Sequence, residues 1–412
     1  MAYNILLYGA TGFSGRLIAA EGKAACMSPQ NGRGKCRMIL AARERAKLQE
    51  VAEENGMEFR VFGLDERDEI LKGIDSIDVV VNAAGPFAFT AEPLAKAALE
   101  KQCHYVDING EADVYRKLDD LGRFAAQREV AMVSAAGNLA AASDVLLDVA
   151  LKTLKRSHNE LGAVRIAVSP ATELSRGSIA SAMRYLREQV VVMRKKQSLN
   201  PEGRMIKELV ISHEPVGKLE RIFDFGEPPD KRSGHGGEKN LQIASAANLV
   251  DTLCARHTVL RNNCMANTIE SYIQMGTLAR AAYQVGGMFS IFSAFPWVRS
   301  ALNAQLALLP EGPTAQELKQ EFHIVLLEIE DIYHKRLIDW RWKTPNAYQF
   351  TAQLAVEIAR ELAVSKDNHP PDKKLAGWIT PAAVLALEDT QKLSDSSFRA
   401  FRGCELEQRK LQ

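Results

Sequence analysis

The chain has 412 residues, which at roughly 150 residues per domain predicts two or three domains, with two the safer count. Hydrophobic residues make up 46% and charged residues 25%, ordinary values for a globular chain able to bury a core. Lys plus Arg is 52 against 51 Asp plus Glu, a net charge of +1 without the basic footprint of a nucleic-acid binder, and the normal Gly and Pro content with no fixed repeat excludes collagen-like, coiled-coil, solenoid and disordered classes.

From the N-terminus to about residue 140, short apolar runs alternate with amphipathic stretches. Asn4 to Tyr8, Met38 to Ala42, Phe59 to Phe62, Val79 to Ala83, Tyr105 to Ile108 and Ala131 to Ser134 read as strands. Helical patterns lie between them at Ser14 to Lys23, Arg45 to Asn55, Glu66 to Lys72, Thr90 to Lys101 and Asp113 to Arg128. This alternation predicts βαβ units and a parallel sheet covered on both faces. After Gly137 the rhythm changes. Helices are expected at Ala142 to Lys155 and Ser178 to Arg194, and an antiparallel strand pair at Glu208 to Ser212 and Arg221 to Phe225. Residues 228–237 read as a loop, Phe322 to Glu330 and Lys335 to Trp342 as a second strand pair, and Ala347 to Val364 and Pro381 to Leu393 as closing helices. The predicted fold class is α/β: a Rossmann-type parallel sheet followed by a second α+β domain with an antiparallel sheet. The expected boundaries are 1–141 for an NADP-binding domain, 142–345 for a substrate or oligomerisation domain, and 346–412 for C-terminal helices that pack back on the first.

Six sparse cysteines without CxxC or CxxH spacing predict a reduced, cytoplasmic chain with no metal site. The N-terminus shows no signal-peptide pattern. Ala281 to Val298 is 18 residues without a charge, close to the ~20 of a spanning helix. Gly286-Gly287 and Pro296 argue against a span. The expectation is an apolar surface, anchored by Arg280 and Arg299, that meets lipid, a lipid-like substrate or another subunit, with an ordinary core helix as the alternative. Peripheral membrane association and a homodimer follow from it as expectations.

The chemistry is concentrated at strand ends. Gly9-Ala10-Thr11-Gly12-Phe13-Ser14-Gly15 follows the first strand and opens the first helix. Gly9 permits the turn, Gly12 admits a pyrophosphate, and Gly15 lets helix and strand pack closely. Arg43 is the first polar residue after the second strand, where an NAD site wants a carboxylate. It suits a 2′-phosphate and favours NADP(H), although a one-residue shift would put Glu44 there. Ala84, Gly85, Pro86 and Phe87 at the fourth strand's end let a cofactor cross the sheet edge. Tyr105, Asp107 and Glu111 bring polar groups to the same crevice, with capping and loop hydrogen bonding as the alternative role for the two acids. None of the seven tyrosines from Tyr105 onward is followed four places later by Lys, which disfavours a short-chain dehydrogenase, and HExxH, GxSxG and P-loop motifs are absent.

Taken together, Tyr8 to Gly15, Leu40-Ala41-Ala42-Arg43, Asn82 to Phe87 and Tyr105 to Glu111 resemble the saccharopine dehydrogenase-like oxidoreductase family, in the branch with the trans-acting enoyl reductases. Arg176 to Ser181, Pro310 to Thr314 and Trp378 to Ala382 resemble later motifs of that family. The run Gly137 to Asp144 departs from it by losing an internal Phe-Asp and a Pro, at a loop that faces the nicotinamide end in the family fold. The resemblance implies an NADP-binding Rossmann domain, a second α+β domain, and reduction of an imine or an activated double bond. The leading expectation is an NADPH-dependent reductase acting on a C=C or C=N bond of an apolar or acyl-type small molecule, with Tyr105, Asp107, Glu111 and Ser178 as candidate proton donors or polarising groups. The alternatives are a saccharopine-type amino-acid dehydrogenase, for which Arg176, Arg184 and Arg187 could bind carboxylates, and a non-catalytic NADP-binding protein that docks on lipid surfaces.

Overall fold

The computed structural model describes residues 2–27, 36–154, 159–170, 175–176, 179, 190–199, 204–214, 218–226, 240–247, 250–275, 311–368, 375–387, 390–394 and 401–409. Apolar runs too short for helices become the strands of a first sheet: β1 (Tyr3–Tyr8), β2 (Cys36–Ala42), β3 (Glu58–Val61), β4 (Val79–Asn82), β5 (His104–Asp107) and β6 (Ala131–Val133). Intervening helices are α1 (Phe13–Met27), α2 (Arg45–Asn55), α3 (Arg67–Gly73), α4 (Phe87–Lys101), α5 (Ala112–Asp119) and α6 (Gly122–Gln127). The helix expected over Asp113 to Arg128 is therefore broken at Asp120-Leu121.

The chain continues through α7 (Asn138–Thr153), β7 (Glu160–Val168), β8 (Val190–Leu199), β9 (Met205–Glu214), β10 (Glu220–Asp224), β11 (Leu241–Ala246), α8 (Val250–Arg261) and β12 (Met265–Gln274). It then forms α9 (Ala315–Gln320), β13 (Phe322–Asp331), β14 (Arg336–Pro345), α10 (Ala347–Asn368), β15 (Gly377–Trp378), α11 (Pro381–Leu385) and β16 (Glu405–Gln408). The helix expected over Pro381 to Leu393 stops at α11. Ala386 turns left-handed (φ 45°), and a 3₁₀ turn follows at Gln391–Ser394.

The first sheet has strand order β15-β6-β5-β4-β1-β2-β3 and is parallel throughout. β1 pairs with both β2 and β4, so the chain reverses its winding direction there and opens a crevice at the carboxyl edge. Leu6, Ile39, Val80, Leu94 and Met132 are buried in its core. β15, contributed by residues far along the chain, extends the sheet beside β6.

The second sheet runs β10-β11-β12-β7-β13-β14-β16, with β8 also on β12 and β9 on β8. It is mixed rather than wholly antiparallel, because β7 and β12 run parallel. α8 immediately precedes β12 and supplies the crossover that a parallel pair needs. The helix expected over Ser178 to Arg194 ends differently: Val190-Val191-Val192 opens β8, where branched side chains pack better than against a preceding helical turn. β9 and β10 are strands as expected but pair with β8 and β11 instead of each other. Ala167, Val192, Phe223, Phe225, Tyr272, Ile324 and Leu326 form one buried cluster of this sheet.

Two compact units result: Met1–Ala141 with Tyr348–Ala386, and Ala142–Ala347 with Leu387–Gln412. The C-terminal segment thus divides, since β16 joins the second sheet through β14. Within the second unit α7 and α8 meet along buried polar groups. Ser143 donates to Asp251 Oδ1, Thr258 to Asp144, and Arg261 and Asn262 both reach Asp148 Oδ1 at 2.8 Å. Ser143 and Asp144, part of the departing run, thus lie on a helix and join it to α8. Ala281 to Val298 and residues 228–237 lie outside the described residues; among those described, no helix is long and apolar enough to cross a membrane.

Burial pushes the His323 imidazole on β13 down to about 4, against an unfolded value of about 6.5. Below 6.5 the unfolded chain takes up a proton that the folded one refuses, so this residue's contribution to stability falls as pH drops from about 6.5 toward 4. Burial pushes Asp107 and Asp251 up to about 6, and these act in the opposite sense. The comparison is therefore differential. In urea melts, the stability gap between the protein and His323→Gln is expected to narrow by about 1 kcal/mol per pH unit between pH 6 and 5.

Candidate functional site

At the carboxyl edge of the first sheet, the turn from β1 to α1 lies against the end of β2. Gly9 N donates to Ala41 O at 2.9 Å, and Ala10 N reaches the same oxygen at 3.3 Å. Gly9 has φ +89°, and a Cβ there meets Ala84 N at 2.7 Å, so the first turn presses on the turn after β4. A Cβ on Gly15 falls 2.1 Å from Gly9 O. Both glycines are demanded by the protein's own backbone. Gly12 differs: it is exposed, and its Cβ meets only Gly9 O at 3.5 Å, an ordinary contact. Apart from Gly9 O and its own chain neighbours, no atom among the described residues lies within 4 Å of that Cβ, at the start of α1 where N–H groups lack helical acceptors. Thr11, Phe13 and Ser14 are half-buried along this turn. The Phe13 ring meets the Tyr348 ring edge-on at 5.0 Å, which joins α10 to the fingerprint turn.

Past β2, Arg43 is exposed and makes no ion pair among the described residues, whereas Glu44 is taken by Lys47 at 2.8 Å. Arg45 lies over the Phe59 ring, 6.0 Å from its centroid. Among the described residues Arg43 is thus a cation at this strand end held by no ion pair. It also acts on Tyr8, whose hydroxyl donates to Phe62 O at 3.3 Å; burial pushes that phenol up to about 12, against the Arg43 charge.

The turn after β4 is held by Asn82. Its Oδ1 accepts from Ala84 N at 3.0 Å, and its Nδ2 donates to Thr90 Oγ1 and Tyr105 Oη, both at 3.2 Å. Thr90 in turn donates to Ala84 O. Gly85 and Pro86 are left exposed, Phe87 is buried, and Phe89 is 70% exposed.

The polar residues after β5 lie inside. Asp107 Oδ1 accepts from Ser134 Oγ (2.7 Å), Ala135 N (2.9 Å) and Asn109 N (3.0 Å), tying β5 to the turn after β6. Burial still outweighs these bonds and raises its carboxyl to about 6. Burial, then the Asp107 charge, holds the Tyr105 phenol well above its usual range. Glu111 Oε1 accepts from Phe87 N at 3.1 Å, and its backbone is gripped by the Asn109 amide through Oδ1 (2.7 Å) and Nδ2 (3.1 Å). Tyr105 and Asp107 have 0% exposure and Glu111 5%, so all three fix loops rather than present a surface. Ser178 lies outside the described residues. Nearby, Arg176 N donates to Glu311 O at 3.2 Å, bringing together two motifs far apart in sequence.

Asn82 and Asn109 were visible in the sequence only as members of motifs, and their spacing of two residues from Ala84 and from Asp107 and Glu111 is the available signal; Ser134 was visible only as the end of a strand. Tyr348 and Thr351, which donates no such signal, reach the site through α10: Asn138 N donates to Thr351 Oγ1 at 2.9 Å. Among the described residues no group of His, Cys, Asp or Glu could hold a metal ion.

Residues 5–133 match the saccharopine dehydrogenase NADP binding domain family. The chain is 28% identical over 120 residues to the human saccharopine dehydrogenase-like oxidoreductase, covering 26% of this chain and 28% of that one. It is also 28% identical over 181 residues to a lipid droplet localized protein of Caenorhabditis elegans, covering 41% and 40%. The matches thus span less than half the length of these relatives. In fold it is similar to the apo saccharopine dehydrogenase (L-Glu forming) of Saccharomyces cerevisiae, with a TM-score of 0.54 at 13% identity over 99% of this chain and 100% of that one. Residues 5–133 thus match an NADP-binding domain family, and the chain is similar in fold to that neighbour.

The three glycines separate binding from folding. Gly12→Val is expected to keep the melting temperature within a few degrees and to weaken NADPH binding by more than about 100-fold, because the branched side chain fills the cradle. Gly15→Val is expected to prevent stable folding, since its Cβ collides with the Gly9 carbonyl. Thermal melts and calorimetric titration with NADPH distinguish the two.

Proposed function

We propose that the protein is an NADPH-dependent reductase that delivers hydride to a C=C (enoyl) or C=N bond of an apolar or acyl-type small molecule. The observation that carries the cofactor half is an exposed Gly12 at the start of α1 together with Arg43, an exposed cation at the β2 end that forms no ion pair among the described residues. The helix N-terminus and Gly12 hold the pyrophosphate, and Arg43 pairs with the 2′-phosphate. NADPH supplies the hydride, and the protein's part is to position the acceptor and admit a proton.

The acceptor half rests on the surface beside the cradle. Pro86 and Phe89 are exposed after β4, following the Ala84 backbone against which Gly9 presses, while the carboxylates of Asp107 and Glu111 are turned inward as hydrogen-bond acceptors. In this reading Tyr105, Asp107 and Glu111 are positioning residues that hold the loops around the nicotinamide end, rather than the proton donor. Similarity to a protein described as lipid droplet localized accords with a lipid-like acceptor.

NADPH is expected to bind at least tenfold more tightly than NADH, about 1.4 kcal/mol, and Arg43→Ala to erase most of that difference. Equal affinities in the unmutated protein contradict the cofactor assignment. NADPH oxidation is then to be followed with enoyl thioesters, cyclic imines and amino-acid/oxo-acid pairs. Turnover confined to the amino-acid pairs establishes the saccharopine-type reaction instead, and no turnover with any acceptor leaves a binding protein.

A further inference from the structure

One end of the second sheet carries exposed apolar side chains from three separate connections. Leu199 and Met205 are cross-strand partners at the tip of the β8–β9 hairpin, with 66% and 62% exposure. The β13–β14 turn contributes Ile332 at 40% and Tyr333 at 82%, and the end of α8 contributes Leu260 at 38%. Strand register shows that these lie on the same rim. Met193 of β8 pairs Ile269 of β12, Met265 of β12 pairs Glu160 of β7, and Asp331 of β13 pairs Leu161 of β7. The rim is therefore the level at which β8, β12, β7 and β13 all begin or end, roughly 20 Å across at the usual strand spacing.

Cations accompany the apolar tips. Lys196, Arg204 and Lys335 are exposed, and Lys207 is 44% exposed while reaching Glu160 at 2.6 Å. Glu160 also takes Lys195 at 3.5 Å, Glu208 stands across the ladder from Lys196, and Asp331 Oδ1 accepts from Lys335 N at 2.9 Å in the β13–β14 turn. Among the described residues Lys196 and Lys335 have no ion-pair partner. Among the described residues of this rim, Lys195, Lys196, Arg204, Lys207 and Lys335 stand against Glu160, Glu208 and Asp331, an excess of two positive charges around protruding Leu, Met, Ile and Tyr. Long cationic side chains reach headgroups while their stems follow apolar groups into the interface, and Tyr prefers that boundary.

We propose that this rim of the second sheet docks on an anionic lipid surface, with Leu199, Met205, Ile332 and Tyr333 entering the headgroup region and Lys196, Arg204, Lys207 and Lys335 meeting the phosphates. The two chemistries reinforce each other. Apolar insertion by a few side chains is weak alone, and each cation near such a surface strengthens it. The inference is independent of any turnover at the first sheet.

The test is co-sedimentation of the full chain with sucrose-loaded vesicles of phosphatidylcholine alone and with roughly a third phosphatidylserine. The protein is expected to partition onto the anionic vesicles and to be released by high salt. The Leu199→Ser/Met205→Ser double variant and, independently, Tyr333→Ser on its exposed turn are each expected to lower partitioning, about tenfold for the pair. Lys196→Glu with Lys335→Glu is expected to weaken binding to the anionic vesicles alone. An unchanged circular dichroism spectrum and an unchanged melting temperature of each variant show that the fold of the second unit is kept. Absence of partitioning, or partitioning that none of these variants changes, overturns the proposal. So does a dimer in sedimentation velocity that the same variants dissociate without any vesicle binding, since the rim then faces a second copy of this chain.

Discussion

The close approach of two turns governs the first unit. Gly9 lets the β1–α1 turn rest directly on the β4–α4 turn, with no room between Gly9 and Ala84 for a side chain. Gly15 repeats the constraint one helical turn later against Gly9's own carbonyl. Because these contacts are backbone on backbone, they cannot be relieved by a rotamer change, and they place the start of α1 over the crevice where β1 has neighbours on both sides. The open side of Gly12 is a consequence: once its two companions are pinned, its outer face is the part of the turn that remains available to an anion.

Around that turn, buried polar residues do the work of fixing loops. Asn82 closes its own turn and reaches Thr90 and Tyr105; Asp107 gathers three donors from two segments; Asn109 grips Glu111, which accepts from Phe87. A buried polar group left without partners costs about 1–3 kcal/mol, so such a network is tolerated only when it is nearly complete, and completeness makes it specific. The rise in the Asp107 carboxyl shows that burial is not fully offset even by three hydrogen bonds. Tyr105, Asp107 and Glu111, which looked like acid–base chemistry from their types, are thus buried and hydrogen-bonded within the loops at this sheet edge.

The second unit solves a different problem. Its long strands bury one cluster of aromatic and aliphatic groups, while Arg165 on β7 bridges Glu330 at 2.7 Å and Glu270 at 3.6 Å on its neighbours. Charged cross-strand pairs of this kind fix register, because a slip of one residue would bury the cation against an apolar side chain. The same strands end in apolar tips at one rim, so the sheet that is specified internally by charge offers its hydrophobic surplus at the edge.

The alternation of apolar runs and helical patterns up to residue 140, and the glycine spacing at its start, determined by themselves the parallel sheet, the chain order of its first six strands and the tight β1–α1 turn, because each depends on neighbours within a few tens of residues. The β13–β14 pair was legible for the same reason. Other features were decided by tertiary structure alone. The strand β8 was masked by apolar spacing that also suits a helix, and only its pairing with β9 and β12 selects the extended form. β7 and β12, a parallel pair over 100 residues apart, carry no local sign of their partnership. Tyr348 and Thr351 reach the site from α10, and Tyr105 and Asp107 face inward, because the direction of a side chain at a strand end depends on what the completed sheet packs against it. Residue types near a motif reveal which atoms are present; burial and hydrogen-bond partners, which exist only in the folded chain, decide which of them meet a ligand.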